Sequence, residues 1–83
     1  MKLFVRNLSY DLTDEELLEF FSEAGEVESA NIVKDRFTGK SKGYGFVTMT
    51  NEKGGKAAIE SLNGKDLHGR SIAIDKARDR ERR

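Results

Sequence analysis

The sequence predicts an α+β domain with the element order β-α-β-β-α-β, in which a four-stranded antiparallel sheet carries two helices on one face. Two observations predict this fold. Four segments alternate inward and outward residues with the period of a strand, and two segments repeat apolar residues with the period of a helix. Each helical segment lies between two strand segments, and the 83 residues are enough for one core.

The first strand is expected over Lys2 to Asn7. Leu3 and Val5 point to one face of this strand. Lys2, Phe4 and Arg6 point to the other face, which therefore combines a large aromatic ring with two cations. Because both helices are expected on the other side of the sheet, we expect this second face to stay open.

The first helix is expected from Asp14 to Ala24. Thr13 and Glu16 have the spacing of a capping box, in which each side chain accepts a hydrogen bond from the backbone of the other. Apolar residues recur at helical spacing through the segment, and Gly25 is expected to end it. The acidic residues of this helix are expected to face water.

The second strand is expected over Glu28 to Lys34, with Ala30 and Ile32 facing the core. A polar and largely basic connection follows, and it contains a turn signal at Thr38-Gly39. The third strand is expected over Gly43 to Thr50. These two strands should form a hairpin.

The second helix is expected to start after Asn51, which has a side chain suited to an N-cap, and to reach about Leu62. Gly54 and Gly55 each cost about 1 kcal/mol against alanine inside a helix. We therefore expect this helix to start late or to fray. Asn63-Gly64 should end it.

A short turn region leads to the fourth strand, expected over Ser71 to Lys76 with Ile72 and Ile74 facing the core. Together these elements form a ferredoxin-like sandwich. We expect one domain over residues 1–77, followed by a flexible basic tail over residues 78–83, which contains no apolar residue. Because the sequence starts with methionine, we expect a whole protein rather than an excised domain.

Composition excludes several classes of function. The chain has no cysteine and one histidine, so disulfides, thiol catalysis and a zinc site are not expected. No apolar run approaches the roughly 18 residues that span a bilayer, and no secretion signal is visible. We expect a cytoplasmic protein without a cofactor. The formal net charge is zero, but acids cluster in residues 11–28 while residues 34–44 and 76–83 are basic, so local patches matter more than the sum.

Two sequence motifs lie on the first and third strands. Residues 42–49 match the octamer Lys/Arg-Gly-Phe/Tyr-Gly/Ala-Phe-Val-x-Phe/Tyr at every specified position but the last. Residues 3–8 match a shorter hexamer. On these motifs the chain resembles the RNA recognition motif family over residues 2–77, and it looks like the small single-domain members of bacteria and plant organelles. Met49 departs from the octamer, but alternation turns it toward the core.

The resemblance implies binding of single-stranded RNA by aromatic stacking on the open face, in RNA processing, stability or translation. It assigns the primary RNA contacts to Phe4, Lys42, Tyr44 and Phe46, with Phe4 and Tyr44 as stacking platforms. The second-rank candidates, which would bond base edges or backbone, are Lys2, Arg6, Asn31, Lys76 and Arg78. Gly43 and Gly45 are expected to let a helix approach the sheet closely.

Three other functions are considered. Single-stranded DNA is the nearest rival, because stacking does not require the 2′-hydroxyl. A protein-interaction module would use the open face or the acidic first helix. An enzyme of the acylphosphatase kind would need a phosphate-cradling loop, which Arg6 and Asn7 do not provide, and Gly39-Lys40-Ser41 joins two strands, unlike a P-loop. We expect a monomeric, non-enzymatic protein without a membrane or small-molecule partner.

Overall fold

Two helices and six short strands build residues 1–77, which the computed structural model describes. In chain order they are β1 (Lys2–Arg6), α1 (Asp14–Ser22), β2 (Val27–Lys34), β3 (Ser41–Met49), α2 (Glu52–Leu62), β4 (Asp66–Leu67), β5 (Arg70–Ser71) and β6 (Ala73–Lys76). No helix in this range is long and apolar enough to cross a membrane. The expected flexible tail over residues 78–83, with Arg78, lies outside the described residues.

A four-stranded antiparallel sheet with the order β2-β3-β1-β6 confirms the predicted ferredoxin-like α+β fold. The two strands that carry the motifs, β1 and β3, are neighbours at the centre of the sheet. Their register pairs Leu3 with Val47 and Phe4 with Phe46. Paired residues share a face, so alternate residues of the two strands form one surface on each side of the sheet.

The core lies between this sheet and the two helices. Its buried residues include Leu3, Val5, Ala30, Ile32, Val47, Met49 and Ile74 from the strands, Leu17 and Phe21 from α1, and Ala58 and Leu62 from α2. The side chains that the sequence directs inward are therefore buried. Apolar burial is the main favourable term in folding, and it lies on one side of the sheet.

The start of α1 confirms the predicted capping box. Thr13 Oγ1 accepts the Glu16 N–H at 3.1 Å, and Glu16 Oε1 accepts the Thr13 N–H at 3.1 Å. Two of the N–H groups at the helix start thereby gain partners. Such a cap is typically worth about 1 kcal/mol of helix stability.

The end of α1 differs from the prediction. The helix stops at Ser22 instead of Ala24, whose N–H donates to the Phe21 carbonyl at 3.0 Å in a tighter final turn. Gly25 does not adopt the left-handed conformation of a glycine cap. A Cβ on Gly25 would instead lie 2.9 Å from the Gly54 Cα. This glycine therefore allows α2 to approach the segment that follows α1.

The second helix starts directly after Asn51, so the expected late start is not observed. Asn51 Oδ1 accepts the Gly54 N–H at 2.8 Å and caps the first turn. Gly55 is buried, and the side chain of Met1 occupies the space that a Cβ on Gly55 would fill. The glycines thus weaken intrinsic helix propensity but permit close packing around α2.

A small hairpin before the last strand is not predicted by the sequence. β4 and β5 pair antiparallel around His68 and Gly69, whose φ angles are 55° and 82°. A two-residue type I′ turn requires positive φ at both positions, and its usual sequence is Asn or Asp followed by Gly. The hairpin removes Ser71 from the predicted fourth strand, and the sheet strand β6 begins at Ala73. The bounds of the other strands agree with the prediction within two residues.

Candidate functional site

The open face of the sheet carries three aromatic rings on its two central strands. Phe4 comes from β1, and Tyr44 and Phe46 come from β3. The Phe4 ring centroid lies 5.5 Å from that of Tyr44 with 65° between the planes, and 5.3 Å from that of Phe46 with 36°. These separations are favourable for aromatic pairs. The three half-buried rings therefore form one continuous apolar surface.

The core fixes the direction of these rings. Their neighbours along the strands, Leu3, Val5 and Val47, have no exposed surface. Because successive residues of a strand point to opposite faces, burial of these side chains turns Phe4 and Phe46 away from the helices. The ring positions are thus set by folding, before any ligand binds.

The two glycines of the octamer allow close contacts within the sheet, so the expectation of a helix approach is wrong. A Cβ on Gly45 would lie 2.5 Å from the Asn31 carbonyl oxygen and 3.0 Å from the Ile32 Cα, both on β2. Gly43 has a φ of 86°, and a Cβ there would lie 3.0 Å from Cε1 of Tyr10. A side chain at either position would displace the adjacent strand or the loop after β1.

Two cations of the predicted set lie beside the rings, and a third lies at the start of β3. Lys2 Nζ is 4.9 Å from the Phe46 centroid, within the range of a cation-π contact. Arg6 Nη2 is 2.8 Å from Asp75 Oδ2. Lys42 is exposed at the start of β3, beside the loop that joins β2 and β3. Positive charge therefore stands at several points from which phosphates can be held.

A row of four residues crosses the sheet at the level of the rings. Asn31 pairs with Phe46, Phe46 pairs with Phe4, and Phe4 pairs with Asp75. An amide and a carboxylate therefore flank the two rings. The predicted set includes Asn31 and omits Asp75. Strand alternation in the sequence already directs Asp75 outward, but its negative charge argues against a place in a site for a polyanion.

Lys76 does not join this group. It pairs with Leu3 in the register of β6 with β1, and directly paired residues share a face. Lys76 therefore lies on the helix side of the sheet, exposed on an edge strand. The second-rank candidates that reach the open face are Lys2, Arg6 and Asn31, while Arg78 lies beyond the described part of the chain.

Asp35 holds the loop between β2 and β3 in a defined shape. Its Oδ1 accepts the N–H groups of Phe37 at 2.8 Å and Thr38 at 3.2 Å, and its own N–H donates to the Lys40 carbonyl at 2.8 Å. The two N–H groups on the carboxylate, with a smaller effect from the charge of Lys42, lower the pKa of Asp35.

The described side chains offer contacts for a ligand on the open face. Residues 1–77 contain no group of three or more His, Cys, Asp or Glu that is arranged to hold a metal ion. The rings can stack unpaired bases, the amide and carboxylate can bond base edges, and the cations can neutralise phosphates. This combination has the chemistry of a surface for single-stranded nucleic acid.

Comparisons with known sequences agree with this chemistry. The family model described as RNA recognition motif matches residues 3–73. The chain is 49% identical over 82 residues to the 29 kDa ribonucleoprotein B, chloroplastic, of Nicotiana sylvestris. It is 42% identical over 79 residues to Glycine-rich RNA-binding protein 3, mitochondrial, of Arabidopsis thaliana. These alignments cover 99% and 95% of this chain but 28% and 26% of the relatives, so the chain spans about a quarter of their length.

Solved structures show the same similarity. The crystal structure of RNA Binding Protein PG1 superposes with a TM-score of 0.91 at 38% identity, and the match covers 96% of each chain. The protein in a structure named Sxl-lethal protein/RNA complex superposes with a TM-score of 0.88 at 36% identity, over 94% of this chain and 47% of that one.

Proposed function

The chain belongs to the RNA recognition motif family, and on this premise we propose that it binds single-stranded RNA by aromatic stacking on the open face of its sheet. The main support is the group of three contacting rings on β1 and β3. Every base has a π-face, and stacking on an aromatic ring contributes about 1–3 kcal/mol per base. Rings held by a strand backbone lose little conformational entropy when a base binds.

Each primary residue has a distinct role in this proposal. Phe4 and Tyr44 stack bases, and Phe46 contacts a sugar or the step between two nucleotides. Lys42 pairs with a phosphate. A surface of this size engages about two to four nucleotides.

The second-rank contacts set the path of the RNA. Lys2, Arg6 and Asn31 share the open face and are proposed to bond base edges or the backbone. Lys76 lies on the helix side of the sheet by its register with Leu3. It can therefore contact only RNA that bends around the edge of the sheet at β6. Contact by Arg78 stays a prediction.

The wider role proposed for the protein is RNA processing, stability or translation, as a monomer without enzymatic activity or a small-molecule partner. The two relatives are named as an RNA-binding protein and a ribonucleoprotein, which supports such a role. The cytoplasm is the expected location. Because these relatives are named for the mitochondrion and the chloroplast, an organelle is the alternative, and fluorescence microscopy of the tagged protein distinguishes the two.

Single-stranded DNA is the second candidate ligand. The ring surface that supports RNA binding stacks DNA bases equally well, because stacking does not involve the 2′-hydroxyl. A DNA oligonucleotide of the same base sequence as the RNA therefore belongs in every binding experiment. Weaker binding of the DNA is the result expected of an RNA-binding protein.

An NMR titration with a short single-stranded RNA of random sequence tests the proposed function. We expect the largest chemical-shift changes at Phe4, Lys42, Tyr44 and Phe46, and their loss in the double variant Phe4→Ala/Tyr44→Ala. Leu18→Ala is the control, because Leu18 is 37% exposed on α1, on the covered side of the sheet. A silent sheet in the wild-type titration contradicts the proposal and directs attention to protein partners.

A further inference from the structure

Asp75 stands among cations on the open face. It lies opposite Phe4 in the register of β1 with β6, and its Oδ2 is 2.8 Å from Nη2 of Arg6. The side chains of Arg6 and Asp75 are 53% and 56% exposed. Ion pairs with this much solvent contact contribute little to folding stability. The pair therefore leaves the carboxylate available to a ligand on the face.

The chemistry of a carboxylate restricts what Asp75 can bind. An ionised carboxylate only accepts hydrogen bonds, and it repels phosphates. Its partner in a bound RNA must therefore be a hydrogen-bond donor, either an N–H group on the edge of a base or a ribose 2′-hydroxyl. Directly opposite residues in a sheet have Cβ atoms about 4.5–5.5 Å apart, so a base stacked on Phe4 extends its edge toward Asp75.

Guanine matches this acceptor better than the other bases. On its Watson–Crick edge, guanine presents two adjacent donors, N1–H and N2–H, which fit the two oxygens of one carboxylate. Adenine, cytosine and uracil each place an acceptor next to their donor on that edge, so the second oxygen would face a lone pair. The guanidinium of Arg6 keeps further N–H donors that suit the O6 atom beside N1 of guanine.

We propose that Asp75 is a specificity-determining residue that selects guanine at the nucleotide stacked on Phe4. The inference rests on the proposed binding of RNA to the open face. Asp75 makes the base contact itself, and Arg6 holds the carboxylate in place and adds a donor for O6. Stacking on the rings does not distinguish one base from another. The carboxylate adds a preference for one base at one position.

Fluorescence anisotropy with four labelled RNA pentamers tests the inference. The pentamers have uridine at every position except the third, which is guanosine, adenosine, cytidine or uridine. We expect the wild-type protein to bind the guanosine pentamer about tenfold more tightly than the others, as one bidentate base contact warrants. Asp75→Asn should reduce this preference to about twofold without weakening binding of the all-uridine pentamer, because an amide keeps the shape but loses one acceptor and the charge that repels phosphates.

Asp11→Asn is the matched control. It makes the same change of charge at an exposed residue in the loop after β1, and we expect it to keep the full guanosine preference. A preference that survives Asp75→Asn, or falls equally in Asp11→Asn, overturns the inference. So does a wild-type protein that binds all four pentamers equally, although the proposed RNA binding then still stands. Failure to bind any pentamer overturns the proposed function as well.

The variant Arg6→Ala provides a second background for Asp75→Asn. It distinguishes direct contact of Asp75 with the base from an effect of Asp75 through Arg6. If Asp75 only positions Arg6, the change Asp75→Asn has no effect on base preference once Arg6→Ala is present. We expect the preference for guanosine to fall further when Asp75→Asn is added to Arg6→Ala. Chemical shifts of core amides such as that of Val47 report whether each variant keeps the fold.

Discussion

Asp35 is a single residue that determines the shape of the loop beside the open face. The loop closes through its carboxylate, which accepts two backbone N–H groups, and through its own N–H. Both bonds end on Oδ1, and they are stronger when the carboxylate is ionised than when it is protonated. The shape of the loop next to Lys42 therefore depends on the charge of Asp35.

This dependence predicts that the loop opens in acid. The folded pKa of Asp35 is lowered below the ordinary value of 3.8, first by the N–H groups of Phe37 and Thr38. The stabilisation is thus complete above the ordinary value and is lost as pH falls through the lowered folded pKa. An NMR pH titration should show the amides of Phe37 and Thr38 shifting with a midpoint below 3.8. Asp35→Asn should abolish this step, and a midpoint above the ordinary value contradicts the assignment.

For single residues, the sequence predicts the face of a strand on which a side chain lies but not the ion pairs between strands. Strand alternation predicts that Phe4 and Phe46 share a face, because each is followed on its strand by an apolar residue, Val5 or Val47, that points toward the core. It does not reveal the ion pair of Arg6 with Asp75, which depends on β6 lying beside β1. The sequence makes Lys76 a candidate for RNA contact, but the alternation of Ile72 and Ile74 extends to Lys76, and the register with Leu3 shows that it lies on the helix side.

The stability of a helix depends on the surroundings of each of its residues, and α2 shows this most clearly. Its two adjacent glycines have different surroundings. A Cβ on Gly54 meets no atom closer than 3.4 Å, whereas a Cβ on Gly55 overlaps the side chain of Met1. The same substitution therefore has opposite consequences at neighbouring positions of one helix.

Alanine scanning of this helix should show the difference. We expect Gly54→Ala to stabilise the domain by up to about 1 kcal/mol, because alanine has the higher helix propensity. Gly55→Ala should destabilise it, by about 1–3 kcal/mol, because overpacking displaces Met1 from its site. Urea denaturation measures both. Equal stabilisation by the two variants would show that Met1 does not pack on Gly55.

Elements with strong local signals were predictable, and elements fixed by tertiary contacts were not. The capping box of α1 and the Asn51 cap of α2 depend on residues three or four apart, so the sequence contains the whole motif. The β4–β5 hairpin has a histidine at positive φ, whereas the usual sequence signal for this turn is Asn or Asp before Gly. The close approach of Gly54 to Gly25 joins a distant helix to the segment after α1, and no local pattern indicates it.

At the scale of the whole molecule, charge is divided between regions although it sums to zero. The acids of residues 11–28 include those of α1, which packs on the covered side of the sheet, while Lys2 and Arg6 lie beside the rings and Lys42 lies at the start of β3. At physiological salt, charges farther apart than about 8 Å are largely screened from each other. An RNA on the open face therefore interacts with the local cations more than with the acids of α1.

This division predicts a moderate salt dependence of RNA binding. If two or three phosphates are neutralised, raising salt from about 50 to 200 mM should weaken binding about tenfold, since the logarithmic slope for single strands is about −0.7 per phosphate. Lys42→Ala should reduce the slope by about 0.7, the contribution of one phosphate. Lys53→Ala, at an exposed position of α2, should leave it unchanged. Affinity that does not vary with salt contradicts phosphate contact by the open face.

Strand alternation on β1 and β3 has a consequence for how such a domain evolves. Leu3, Val5 and Val47 pack in the core, and the residues between them, such as Phe4 and Phe46, belong to the proposed binding surface. Selection can therefore act on the two sets almost independently. Single mutations on the outer set can lead a lineage to new RNA targets through intermediates that all remain folded, while the inner set holds one architecture constant.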